Sequence, residues 1–123
     1  MPKTYADFVR EALVVVKEIG VAEARRVFDA DDGTVFLDVR EAEEVARGAI
    51  PGALVIPRGI LEGHVEDWLP ERDAPIVCYC AAGNRSALAA RTLVEMGYEN
   101  VRSLQGGLGA WAAARNPLGA PRF

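Results

Sequence analysis

The chain alternates short apolar runs with segments of helical periodicity, and that alternation restricts its fold more than any single motif does. Thr34-Val35-Phe36-Leu37-Asp38 is apolar at consecutive positions and then turns polar. A strand buried on both faces has this pattern where it delivers a side chain to the edge of a parallel sheet. Pro75-Ile76-Val77-Cys78-Tyr79 is the clearest strand, Val101 to Leu104 a later one, and Ala53 to Ile56 a shorter one stopped by Pro57. Helical segments lie between them. Val21 to Ala30 follows Gly20, carries Glu23 in its first turn and is stopped by Asp31-Asp32-Gly33. Glu41 to Arg47 predicts a brief helix before Gly48, Ser86 to Met96 a longer one closed by Gly97, and Gly107 to Arg115 a last one. Gly59 to Leu69 has no decisive pattern. Parallel strands need crossover connections, so strands separated by helices predict an α/β fold: a parallel sheet flanked by helices on both faces.

At the start of the chain, Tyr5, Phe8, Val9, Ala12 and Val16 recur at helical spacing, and Thr4 with Asp7 three residues on has the form of a capping box. An additional N-terminal helix is therefore expected over 4–16. With 123 residues and no internal repeat or Pro/Ser-rich linker, the expectation is one domain over 1–123, ending in a tail at 116–123. The net charge of -4 offers no basic surface to nucleic acid, and the apolar run from Ala12 to Val16 is far shorter than the ~20 residues a membrane-spanning helix needs. Two cysteines make no disulfide framework, and with no secretory leader in view they suit a reducing cytoplasm.

The chemistry concentrates where the central strand ends. Ligands of open parallel sheets bind at the carboxyl ends of strands, and Cys80 stands at that end of Pro75–Tyr79. The loop Cys80-Ala81-Ala82-Gly83-Asn84-Arg85-Ser86 can turn its N–H groups inward as an anion nest, with a helix dipole of about half a positive charge behind it and Arg85 adding a full charge. Such surroundings bring a thiol from about 8.5 to ~3.5–7.5, which makes Cys80 a candidate nucleophile at neutral pH. Cys80, Gly83, Arg85 and Ser86 at their respective spacings form a far more specific signal than a cysteine and an arginine alone.

These residues resemble the active-site loop of a single-domain rhodanese, a sulfurtransferase that carries sulfur on cysteine as a persulfide. Three further stretches fit the family in order: Leu37-Asp38-Val39-Arg40-Glu41, Gly48-Ala49-Ile50-Pro51-Gly52-Ala53 and Gly106-Gly107-Leu108-Gly109-Ala110-Trp111. The resemblance covers about Ile19 to Ala114 and implies a five-stranded parallel sheet between helices. It implies Cys80 as the covalent sulfur carrier. The backbone of Ala81, Ala82, Gly83, Asn84, Arg85 and Ser86 would hold the sulfur anion, with Arg85 orienting donor or acceptor. Asp38 and Arg40 would support the framework of the loop. No metal or organic cofactor is implied. The partners are a small-molecule sulfur donor and acceptor, with a protein sulfur acceptor as a further option. Two departures stand out. Ala49 occupies a position where the family usually has histidine, and Ala81 and Ala82 stand where members that favour thiosulfate often carry Lys or Arg. A non-catalytic persulfide carrier or interaction module is the alternative reading.

Other chemistries fit less well. Four residues separate Cys80 from Arg85, whereas phosphatases working through a cysteinyl phosphate have five; the tighter nest suits one sulfur better than a tetrahedral phosphate, and arsenate reduction ranks with the phosphatase. Cys78 lies two residues from Cys80 on a strand, with Cα atoms roughly 6.6–6.8 Å apart, and is expected to be a core thiol. His64, the only histidine, cannot assemble a zinc site with both cysteines at any recognised spacing. Gly107-Leu108-Gly109-Ala110-Trp111-Ala112 matches a dinucleotide fingerprint, but only Ala113 to Phe123 follow it, too few for the second strand and the ribose-binding acid. Its glycines are instead expected to admit a helix against the sheet, with Trp111 in the core.

Overall fold

A computed structural model describes residues 1–122. Five parallel strands form one sheet in the order β1-β5-β4-β2-β3, with β1 at Lys17–Ile19, β2 at Val35–Asp38, β3 at Leu54–Val55, β4 at Ile76–Tyr79 and β5 at Val101–Leu104. Six helices connect and cover them: α1 Tyr5–Val15, α2 Val21–Ala30, α3 Ala42–Val45, α4 Leu61–Trp68, α5 Asn84–Glu95 and α6 Gly107–Ala113. The expected α/β class and parallel sheet are present. Thr4 caps α1, its hydroxyl accepting the Asp7 N–H at 3.1 Å while Asp7 accepts the Thr4 N–H at 2.9 Å.

The residue pattern missed one strand. Lys17-Glu18-Ile19 is short and two-thirds charged, so it carries no apolar signature. It pairs with β5 at Lys17↔Arg102, Glu18↔Ser103 and Ile19↔Leu104, and Ile19 alone is buried. An edge strand hydrogen-bonded on one side can be mostly solvated, which explains why hydropathy does not reveal it. The segment 59–69, undecided from sequence, forms a 3-10 turn at Arg58–Ile60 followed by α4, whose Leu61 and Val65 are buried.

Alternation along β4 feeds two cores. On one face Ile76, Cys78 and Cys80 join Leu37, Val101 and the Ala89, Ala90 and Leu93 stripe of α5. On the other, Val77 and Tyr79 join Ile19, Phe36, Leu104 and Trp111. Trp111 is fully buried, with Phe28 edge-on at 5.5 Å between ring centroids, and its Nε1–H donates to the Pro117 carbonyl at 2.7 Å. Residues 116–122 are thereby tied down through Pro117, and Ala49 and Gly119 exchange backbone bonds of 2.9 and 2.8 Å; Phe123, the last residue of the expected 116–123 tail, lies outside the described residues.

β2 and β4 are adjacent, but their onward connections diverge, β2 leading through α3 to β3 and β4 through α5 to β5. That divergence opens a crevice at the carboxyl ends of the two strands. Asp38 and Arg40 brace its β2 side. The carboxylate takes Arg40 Nε at 3.0 Å and Nη2 at 2.8 Å, and Arg40 also donates to the carbonyls of Gly48 at 2.8 Å and Glu44 at 3.3 Å. Both residues are buried, so this is not a surface ion pair. Asp38→Ala would strand a buried guanidinium. The expected loss is about 3–5 kcal/mol in denaturant unfolding, and adding Arg40→Met should recover part of it by removing the orphaned charge.

Candidate active site

The loop after β4 curls because of where its carbonyls go. Those of Cys80 and Ala81 accept hydrogen bonds from the Leu108 and Gly109 N–H groups at 2.8 and 3.0 Å, in the first turn of α6. The backbone of α6 must come very close for this. A Cβ on Gly107 would sit 2.4 Å from the Cys80 oxygen and 2.7 Å from the Ala81 carbonyl carbon, at a φ of +59°. The glycines at the start of α6 therefore seat the helix on the active loop, a closer and more specific contact than the entry against the sheet expected from sequence. Gly83, at φ +108°, makes the turn into α5. The helix thus begins at Asn84, two residues earlier than the sequence pattern indicates.

With the carbonyls bound behind the loop, amides turn toward the sulfur. Cys80 Sγ accepts the Gly83 N–H at 3.1 Å and the Ser86 N–H at 3.4 Å, and lies 3.5 Å from Ser86 Oγ. The amides of Ala81, Asn84 and Arg85 are not among these donors. Cys80 and Ser86 are buried, whereas Ala81, Ala82 and Asn84 are exposed at the mouth. Burial pushes the Cys80 thiol up. The Ser86 hydroxyl and the amides of Ser86, Gly83 and Ala82 outweigh it, so the thiol lies below the ordinary cysteine value. Cys78, fully buried and without these donors, is pushed up to about 12 by burial and by the Cys80 charge. Two cysteines two residues apart thus have opposite acid–base character.

Arg85 does not sit on the sulfur. Its two terminal nitrogens grip the two Glu44 oxygens at 2.7 and 2.9 Å, a bidentate pair spanning the crevice between α5 and α3. Hydrogen bonding to Arg85 is the main reason the Glu44 carboxyl is held down at about 2. Glu44 was missed from sequence: it is one of several acids in a short helix, and only the fold brings it opposite the loop. Asp38 and Arg40 reach the loop indirectly, through the Glu44 carbonyl that Arg40 holds. His64 lies exposed on α4, and among the described residues no three His, Cys, Asp or Glu side chains gather as a metal-ligand set.

Two outcomes test this geometry. Iodoacetamide labelling at neutral pH should map to Cys80, with a rate that persists below the range where a free thiol becomes unreactive; Cys78 should remain unlabelled in the folded protein. Gly107→Ala should lower stability by ~2 kcal/mol or more and slow Cys80 labelling, because the new methyl must push α6 off the loop carbonyls.

The sequence and the backbone both have known relatives. Residues 21–114 match the model of the rhodanese-like domain. A sulfurtransferase of Allochromatium vinosum is 36% identical over 98 residues, covering 80% of this chain and 89% of that protein. The thiosulfate sulfurtransferase GlpE of Pseudoalteromonas translucida is 34% identical over 100 residues, covering 80% and 90%. Among solved structures, a Rhodopseudomonas palustris protein of unknown function, described as a possible tyrosine phosphatase, superposes with a TM-score of 0.88 at 33% identity, covering 97% of this chain and 99% of that one. With the family model spanning most of its length and relatives of this similarity, the chain belongs to the rhodanese-like domain family.

Proposed function

We propose that the chain is a sulfurtransferase in which Cys80 carries sulfur as a persulfide. The observation that bears most weight is the convergence of two amides and a hydroxyl on the Sγ of a buried cysteine at a strand's carboxyl end. These groups favour thiolate without any metal or cofactor. The thiolate attacks the outer sulfur of a donor. The donor's S–S bond breaks, its remainder leaves with the electron pair, which in thiosulfate would be sulfite, and a Cys80 Sγ–S bond forms. A thiophilic acceptor such as cyanide or a thiol then attacks that outer sulfur, and Sγ recovers the electron pair as thiolate. A protein thiol could accept the sulfur in the same way, and the two cysteines suit a reducing cytoplasm.

The charges bear on the donor. Ala81 and Ala82 bring no cation to the mouth, and the Arg85 guanidinium is committed to Glu44. A dianion such as thiosulfate therefore gains little from this site, which favours a persulfide of low charge as the preferred donor.

The likeness to the Rhodopseudomonas palustris protein raises a second reading, phosphate-ester hydrolysis. It fits the loop less well. A cysteinyl-phosphate mechanism needs the loop arginine on the phosphoryl oxygens, whereas Arg85 is tied away, and four residues between Cys80 and Arg85 leave a narrower cradle. The readings separate by product. Intact mass after donor exposure should show one added sulfur on Cys80. Thiocyanate formation from cyanide should vanish in Cys80→Ser and persist in Cys78→Ser, with a higher KM for thiosulfate than for an organic persulfide. Sulfur loading without turnover would indicate a carrier, and hydrolysis of an aryl phosphate through a phosphoenzyme would overturn the proposal.

A further inference from the structure

Behind the sulfur-binding loop lies a second hydroxyl that the chemistry above does not use. Ser103, on β5, is fully buried, beside Cys78 in the sheet register. Its Oγ is 2.9 Å from Ser86 Oγ, which is 3.5 Å from Cys80 Sγ and 3.1 Å from the Gly83 carbonyl. A line of polar atoms thus runs from inside the sheet to Cys80 Sγ.

The proton count along this line fixes its direction. Ser86 has one hydroxyl hydrogen and three neighbours that could accept it: the Gly83 carbonyl, Ser103 Oγ and Cys80 Sγ. If it went to Ser103, the buried Ser103 hydrogen would lose its only side-chain acceptor among the described residues, an unfavourable arrangement. Ser103 is therefore the donor and Ser86 the acceptor between them. The Gly83 carbonyl already accepts the helical Ala87 N–H at 3.2 Å, so Ser86 can withdraw its hydrogen without leaving that oxygen unpaired. Two arrangements follow. With Cys80 protonated, the S–H donates to Ser86 Oγ and the Ser86 hydrogen rests on Gly83. With Cys80 ionised, the Ser86 hydroxyl rotates to donate to the sulfur. Ser103 donates to Ser86 in both.

We propose that Ser103 is a positioning residue for the Cys80 nucleophile, acting through Ser86: by supplying one of the two bonds that Ser86 Oγ can accept, it frees the Ser86 hydrogen for the sulfur. Without Ser103, the Cys80 S–H would be the only donor left to Ser86 Oγ, which favours the unreactive thiol. Hydrogen bonds in series also polarise one another, so the Ser86 hydroxyl is a stronger donor to sulfur while it accepts from Ser103. The inference rests on the reading that Cys80 is the nucleophile.

The test is the pH profile of iodoacetamide labelling mapped to Cys80 in the full chain, for wild type, Ser103→Ala, Ser103→Thr, Ser86→Ala and Ser86→Ala with Ser103→Ala. Ser103→Ala should raise the apparent pKa of Cys80, so that the rate below the wild-type midpoint falls about three- to tenfold while the alkaline plateau stays put. Ser103→Thr retains the hydroxyl and should restore the profile. In the Ser86→Ala background, Ser103→Ala should change nothing, an outcome that general loosening of the core would not give. If Ser103→Thr fails to fold, the double-mutant comparison decides alone. An unchanged or lowered midpoint in Ser103→Ala, or a shift of equal size without Ser86, overturns the relay. If wild-type Cys80 itself titrates like a free thiol, the sulfur-carrier reading fails first, and the two failures are distinct.

Discussion

The structure depends on one backbone arrangement: the carbonyls of Cys80 and Ala81 are claimed from behind by the first turn of α6. A loop whose carbonyls are bound on one side presents its amides on the other, and those amides are what a sulfur anion needs. The arrangement requires backbone to approach backbone at a distance where no Cβ fits, so the surroundings of the Cys80 sulfur depend on Gly107 as well as on the loop itself. Sequence positions more than twenty residues apart are joined here into one device, and the parallel sheet makes the join by placing β4 next to β5.

Burial and ionisation oppose each other at this site, and the outcome differs over two residues. Removing a thiol from water raises its pKa, and Cys78 shows that effect with little to oppose it. At Cys80 desolvation is again the largest single influence, yet a hydroxyl and several amides together reverse it. A nucleophile in a dry pocket is less solvated than one in water, and dipoles already in place at a strand end stabilise its charge without reorganising. Position along β4 decides which thiol receives them: both side chains point to the α5 face, but only Cys80 stands beyond the last strand residue.

Much of this was legible in the sequence for a stated reason. Leu37 and Val77 lie in consecutive apolar runs because parallel strands are covered on both faces, so their strands can be read directly. Cys80, Gly83 and Ser86 can be read because each has a local task in one loop. What could not be read was either solvated or distant. Lys17-Glu18-Ile19 has no apolar pattern because one edge of β1 faces water. Glu44 and Ser103 are common residue types, and only the fold brings them to the Arg85 and Ser86 side chains of α5. The Arg85 charge, expected at the sulfur, is directed across the crevice for the same reason: its partner lies 41 residues away in sequence.

The Glu44–Arg85 pair changes what the loop arginine can do. An arginine free above a nest would attract any dianion, whereas one held bidentately by a carboxylate presents little net charge and a fixed position. The pair should hold over the whole working range. A carboxyl whose folded pKa is lowered from 4.5 to about 2 contributes its stabilisation above the unfolded value and loses it only as pH falls toward about 2. Acidification from neutrality therefore leaves Arg85 held by Glu44 until pH approaches about 2. Any loss of Cys80 reactivity above that range would report the sulfur and the groups around it, because the arginine stays in place.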